Sequence, residues 1–209
     1  MSQPEPSATE PIDPFAAITR PFRGLIFDCD GTLADTMPLH YRAWVDALAT
    51  RNAEISEQLF YDLAGVPTTD IIRILNERFG YSLDVEEAAA AKEELYEELL
   101  HQAPAIQRVV DLVHEYHGRY PMAVASGGIR RLVVKTVQAL ELTEQFVAIC
   151  TAEDVERGKP NPDLFLLAAK RIGVPPEDCI VLEDSDLGLE AARRAGMQPV
   201  DIRPWLPQR

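Results

Sequence analysis

Four short apolar runs, each cut off by a polar residue, constrain this chain most. Gly24-Leu25-Ile26-Phe27 stops at Asp28, Met122-Ala123-Val124-Ala125 at Ser126, Phe146 to Cys150 at Thr151, and Cys179-Ile180-Val181-Leu182 at Glu183. A continuous apolar run of about four to eight residues is the pattern of a strand buried on both faces. A weaker fifth run covers Pro199 to Ile202. Helical periodicity occupies 105–117, 129–140, 163–172 and 187–195 between them. Strand and helix thus alternate, and the expectation is an α/β fold, a Rossmann-like doubly wound parallel sheet with helices on both faces. In such sheets ligands bind beyond the carboxyl ends of the strands, so the polar residues ending these runs converge on one crevice.

Residues 37–104 break the alternation and read as helices only. Trp44, Val45 and Leu48, then Ile71, Ile72 and Leu75, fall at helical spacing, and a Glu-rich amphipathic stretch runs from Val85 to Leu100. This segment is expected to be an all-helical cap inserted into the core, which comprises 22–36 and 105–209. The Met and aromatic residues of 41–48 and 60–79 are expected to form the cap's own core. The cap carries five basic and thirteen acidic residues, a balance that reads as a solvated face. Residues 1–21, with prolines at 4, 6, 11, 14 and 21, read as a flexible arm.

Charge narrows the partners. Lys and Arg number 20 against 34 Asp and Glu, a net charge of −14, and no basic stripe offsets it. That argues against nucleic acid and anionic membranes as partners. No apolar stretch approaches the roughly 18 residues of a membrane span, and the first basic residue is Arg20. Cys29, Cys150 and Cys179 are odd in number and far apart, as expected of reduced core thiols in a cytoplasmic protein.

The chemistry concentrates in Asp28-Cys29-Asp30-Gly31-Thr32, which sets two carboxylates two residues apart at a strand end where glycine permits a sharp turn. Two such anions need a cation or a proton between them. One can ligate a divalent metal and act as nucleophile while the other exchanges a proton, provided their environments separate their pKa values. Each segment has a duller alternative. Asp-Gly is a common turn, Ser126-Gly127-Gly128 suits a helix N-terminus, Lys159 precedes prolines, and Glu183-Asp184-Ser185 can start a helix. Their occurrence together, in order and at strand ends, is what tells against coincidence. Cys29 lacks an arginine six residues on, where Asp35 stands, and so does not fit a cysteine-dependent phosphatase loop. His114 and His117 lack a surrounding zinc motif.

Asp28-Cys29-Asp30-Gly31-Thr32, Ser126, Lys159-Pro160-Asn161-Pro162-Asp163, and Glu183-Asp184-Ser185 with Gly188 resemble the four motifs of the haloacid dehalogenase-like superfamily of phosphohydrolases. The resemblance spans about 22–203, with a cap placed as in the beta-phosphoglucomutase-type branch. Residues 117–124 and Val200-Asp201-Ile202-Arg203 are most similar to bacterial fructose-1-phosphate and 6-phosphogluconate phosphatases. The resemblance implies that Asp28 attacks phosphorus to form an aspartyl-phosphate and that Asp30 serves as general acid and then base, for which its pKa must rise on closure. It implies Mg²⁺ held by Asp28, the backbone carbonyl of Asp30, Glu183 and Asp184. Ser126 and the amides of Gly127 and Gly128 would bind phosphoryl oxygens, and Lys159 would neutralise charge.

Cap residues expected to face substrate are His40, Trp44, Thr68 and Lys92; for His40 a hinge or capping role stands beside substrate contact. The expected activity is Mg²⁺-dependent hydrolysis of small sugar phosphates by a monomer, with a dimer as the alternative. Asp30 argues against a hydrolytic dehalogenase, and the presence of every motif residue against an inactive binding module. A sugar-phosphate mutase remains the alternative. In the beta-phosphoglucomutases that the chain resembles, an arginine occupies the cap loop at the position matching Thr68, and Arg73 lies close enough in sequence to reach the same space.

Overall fold

The computed structural model describes residue 15 and residues 18–206, so most of the expected arm lies outside the described residues. Five strands, β1 (Gly24–Phe27), β2 (Met122–Ser126), β3 (Ala148–Thr151), β4 (Cys179–Glu183) and β5 (Gln198–Asp201), form one parallel sheet in the order β3-β2-β1-β4-β5. Alternation along each strand sends side chains to opposite faces. Leu25, Phe27, Met122, Val124, Ile180 and Leu182 meet α5 (Gln107–Tyr116) and α6 (Arg130–Ala139) on one side. Ile26, Ala123, Ala125 and Val181 meet α7 (Asp163–Ile172) and α8 (Asp186–Arg194) on the other. The short residues on the second face let α7 lie close to the sheet. Cys29, Cys150 and Cys179 are free thiols buried in these layers.

Between β1 and β2 the chain forms four helices, α1 (Met37–Ala49), α2 (Glu57–Asp62), α3 (Thr68–Phe79) and α4 (Val85–Leu99). Ser56 and Asp84 cap α2 and α4 by accepting from Leu59 and Glu87 amides, and Gly80 ends α3 in the left-handed conformation. Trp44, Leu48, Phe60, Ile72 and Leu75 fill a core separate from the sheet's. Val45 and Phe79, although they fit the helical pattern, are 41% and 48% exposed.

Other departures from expectation are local. Strand β3 starts at Ala148, and Val147 before it is 64% exposed, whereas β2 and β4 extend one residue further to include Ser126 and Glu183. The start of the sheet domain also precedes residue 22. Phe15 stacks on Tyr116 and Trp205, Ile18 packs on the first core layer, and the Thr19 and Arg20 amides donate to Gln198 Oε1 at 3.2 Å. Aromatic area and paired backbone groups fix this stretch. No described helix is long and apolar enough to cross a membrane.

Candidate active site

The chain winds outward from β1 in both directions, so β1 and β4 lie side by side with their carboxyl ends at the point where strand order reverses. Register pairs Phe27 with Leu182, which places Asp28 beside Glu183 and Asp184. Carboxylate oxygens of these three acids all lie within 4.8 Å of one another. Lys159, arriving from the loop before α7, sets its Nζ 2.6 Å from Asp28 Oδ1 and 2.7 Å from Glu183 Oε2.

Two glycines make this crowding sterically feasible. Gly31 has φ of 86°, and a Cβ there would stand 2.3 Å from Asp184 Oδ2. At Gly188, in the first turn of α8, a Cβ would lie 2.1 Å from Glu183 Cδ. Ser185 fixes the other side of Glu183, its amide and hydroxyl donating to Oε1 at 3.0 and 2.6 Å. Thr32 donates to Asp184 Oδ1 at 3.2 Å.

Burial and the neighbouring Glu183 push Asp28 up to about 7 despite the pull of Lys159. Asp184 is raised for the same reasons, by burial and by the Glu183 and Asp28 charges. Burial disfavours the Lys159 ammonium, but Asp28 and Glu183 outweigh it and raise its pKa. One ammonium among three acids leaves excess negative charge in a buried, all-oxygen donor set. That is the chemistry of a site for a hard divalent cation, so the residues present fit such an ion.

Asp30 faces a different set. Burial alone would raise it, yet hydrogen bonding from His40 and the Thr36 hydroxyl, with the Lys92 charge, holds it down at about 2. Its Oδ1 receives Thr36 Oγ1 at 2.9 Å, Tyr96 OH at 3.2 Å and His40 Nε2 at 3.4 Å. Lys92 Nζ lies 2.8 Å from His40 Nδ1, so Nδ1 accepts and the ring proton sits on Nε2, facing Asp30. Burial and Lys92 accordingly lower the His40 pKa, keeping the ring neutral. Asp30 is therefore held as a carboxylate in this arrangement.

Ser126 Oγ lies 3.4 Å from Asp30 Oδ2 and accepts from the Gly128 amide at 3.0 Å. Gly127 and Gly128 line the same cavity, of about 610 Å³, that Asp28, Lys159 and Asp184 line from the strand ends. The helical insert closes its other wall, and a Cβ on Gly127 would lie 3.7 Å from Gly65 O of the α2–α3 loop. His40, Trp44, Thr68 and Lys92 all line this wall. Trp44 is nevertheless 2% exposed and belongs to the insert's core, while Thr68 turns its hydroxyl to Glu93 Oε1 at 2.6 Å. Arg73 does not line the cavity; it pairs with Asp70 on the exposed side of α3.

The motifs did not single out Thr36, Tyr96 or Glu93. Tyr96 had a signal, since it follows Lys92 by four residues and shares its helical face, where its ring stacks on His40 at 3.7 Å. Glu93 was hidden in a run whose acidity reads as solvated, yet it lies inside the cavity with Glu86 and Glu94 at its rim.

Residues 25–202 match the haloacid dehalogenase-like hydrolase family. The chain is 40% identical over 182 residues to the fructose-1-phosphate phosphatase YqaB of Escherichia coli K12, covering 87% of this chain and 97% of that protein. It is 30% identical to a phosphorylated carbohydrates phosphatase of Thermotoga maritima, covering 84% and 82% respectively. Among solved structures, CbbY of Rhodobacter sphaeroides in complex with phosphate superposes with a TM-score of 0.78 at 27% identity, covering 85% of this chain and 84% of that one. The chain belongs to the haloacid dehalogenase-like hydrolases, and it is a phosphatase of that family.

Proposed function

We propose that this phosphatase is Mg²⁺-dependent and hydrolyses small sugar phosphates through an aspartyl-phosphate on Asp28. The observation that carries the reading is the buried Asp28–Lys159–Glu183–Asp184 cluster at the reversal point of the sheet, with Asp30 lining the same cavity two residues on. Phosphate monoesters hydrolyse so slowly unaided that nucleophile, charge neutralisation and proton transfer must act together.

Asp28, Glu183, Asp184 and the Asp30 carbonyl would hold the ion. Bound there, it would supply positive charge that ionises Asp28 and draws the anionic phosphoryl group to it. Attack by an Asp28 oxygen splits one difficult displacement into two easier ones. Lys159 offsets the charge on nucleophile and phosphoryl oxygens, while Ser126 and the Gly127 and Gly128 amides orient those oxygens. Asp30 receives the proton of the attacking water in the second step. To donate a proton to the leaving oxygen in the first, it must begin protonated, which requires its pKa to rise as substrate displaces some of its donors.

The insert supports a small substrate, because its α2–α3 loop sits against Gly127 and partly covers a cavity of about 610 Å³. The alternative, a sugar-phosphate mutase, needs a cation to hold a second phosphate. Thr68 offers a single hydroxyl already given to Glu93, and Arg73 faces away. The test has two arms. Phosphate release is assayed across sugar phosphates with and without Mg²⁺, and thermal unfolding is followed with added Mg²⁺ for the parent chain and for Asp184→Asn. Release from small sugar phosphates only with Mg²⁺, and a Tm rise lost in Asp184→Asn, are expected. Full activity in EDTA, or faster release from phosphopeptides, rejects the reading. Glucose 6-phosphate forming from beta-glucose 1-phosphate faster than inorganic phosphate favours the mutase.

A further inference from the structure

The main cations lining the cavity are already matched. Lys92 lies 3.2 Å from Glu93 Oε1, Lys159 is held between Asp28 and Glu183, and Arg131 pairs with Glu97. Glu86, Glu94 and Glu153 line the cavity as well. The insert's wall therefore has no spare positive charge, in contrast to what a site built for a doubly anionic ligand requires.

Glu93 occupies the middle of that wall, with 12% of its side chain exposed. Its Oε1 takes both the Thr68 hydroxyl at 2.6 Å and Lys92 Nζ at 3.2 Å, which fixes the carboxylate in place. No donor among the described residues meets Oε2. An immobilised carboxylate oxygen with open lone pairs accepts hydroxyl protons well and repels another anion, and enclosure strengthens both effects relative to water. Thr68 adds acceptor capacity rather than charge, because its proton is committed to Glu93.

We propose that Glu93, positioned by Thr68 and Lys92, is a specificity-determining residue that reads hydroxyl groups. It selects phosphate monoesters whose remainder is an uncharged sugar or polyol and excludes those carrying a second anionic group, such as sugar-acid phosphates and sugar bisphosphates. The inference rests on the sugar-phosphate reading above for the identity of the reacting end, and it narrows the substrate class. Charge at the far end of the substrate, rather than size alone, then decides entry.

Calorimetric dissociation constants separate this proposal from the reading beneath it, since binding needs no turnover. In an Asp28→Asn background with Mg²⁺, fructose 1-phosphate is expected to bind at least about tenfold more tightly than 6-phosphogluconate, because the far carboxylate would meet the Glu93 oxygen that no donor among the described residues occupies, whereas a hydroxyl donates to it. Adding Glu93→Gln, which keeps the size and the acceptor for Thr68, is expected to weaken fructose 1-phosphate, tighten 6-phosphogluconate and shrink the ratio about tenfold. Glu94→Gln, at the cavity rim, is expected to change the ratio less than threefold. An unchanged ratio in Glu93→Gln, an equal change in Glu94→Gln, or binding of neither compound overturns the proposal. Failure of the intact enzyme to release phosphate from any sugar phosphate, with the binding ratio as expected, rejects the catalytic reading and leaves the role of Glu93 standing.

Discussion

The two walls of the cavity handle buried charge in opposite ways. At the strand ends, charges meet directly, with the Lys159 ammonium inserted between the Asp28 and Glu183 carboxylates. On the insert's wall, charge passes through hydrogen bonds, from Glu93 to Lys92 to a neutral His40 and on to Asp30, with the Tyr96 ring stacked on His40. The first arrangement is set by strand register, which leaves little freedom once β1 and β4 pair. The second depends on how α1 packs against α4. The insert nevertheless has its own apolar core, separate from that of the sheet. A small cluster of Ala43, Tyr96, Leu100 and Leu132 joins the insert to α6 of the sheet domain.

The largest effect is expected at Asp28. Asp28→Asn preserves shape but removes the anionic nucleophile and one oxygen ligand, so turnover should fall by about 10³-fold or more with the fold intact. Single-turnover phosphate release together with circular dichroism checks both halves of the statement. Substantial hydrolysis by that variant would remove the strand ends from the chemistry.

Lys159→Met comes next. Removing one partner of a buried ion cluster costs about 3–5 kcal/mol because the remaining charges are left uncompensated. We expect a large loss of stability in EDTA, partial recovery of Tm with Mg²⁺, and about 10²-fold lower turnover even when the ion is present. Recovery of activity along with Tm would mean that Lys159 serves only to neutralise the carboxylates.

The same asymmetry explains what could be read from the sequence. The strand-end residues were legible because a doubly buried strand must be an unbroken apolar run, and the residue that breaks it marks the mouth of the crevice. Asp28, Ser126, Glu183 and Asp184 at those breaks, and Lys159 from the loop before α7, all line one cavity. Boundaries failed at the sheet edge, where Val147 is exposed ahead of β3. The insert was legible as helix, and its core as apolar spacing, but periodicity does not say which polar side chain turns inward. Glu93 sits among six Glu residues between 86 and 98 that look alike in the chain. Only the packing of α3 on α4, which brings Thr68 to it, singles it out.

Tyr96→Phe tests the insert's share of the proton chemistry. The phenol donates to Asp30 Oδ1, and its ring holds the His40 plane, so the substitution removes the hydrogen bond and keeps the stack. A net hydrogen bond to a charged group contributes about 1.5–3 kcal/mol, which sets an expectation of about tenfold lower kcat with KM changed little. The pH–rate profile should shift as well, because one of the donors that hold Asp30 ionised is gone. A change confined to KM would make Tyr96 a wall of the substrate cavity and no more.

Arg73→Ala should have the smallest effect, and it addresses the mutase alternative directly. A mutase has to hold one phosphate of a bisphosphate while the other reacts, so the residue holding it must face the cavity. Arg73 instead pairs with Asp70 one turn earlier on α3, and 53% of its side chain is exposed. Exposed pairs of this kind contribute about 0–1 kcal/mol to stability. Phosphate release from sugar monophosphates should therefore stay within twofold of the parent, and Tm within a few degrees. A selective loss of glucose 6-phosphate formation from beta-glucose 1-phosphate and its bisphosphate would show that α3 turns Arg73 inward during turnover. The insert would then carry the cation that its resting wall lacks, and the contrast between a charged strand-end wall and a neutralised helical wall would hold only before substrate binds.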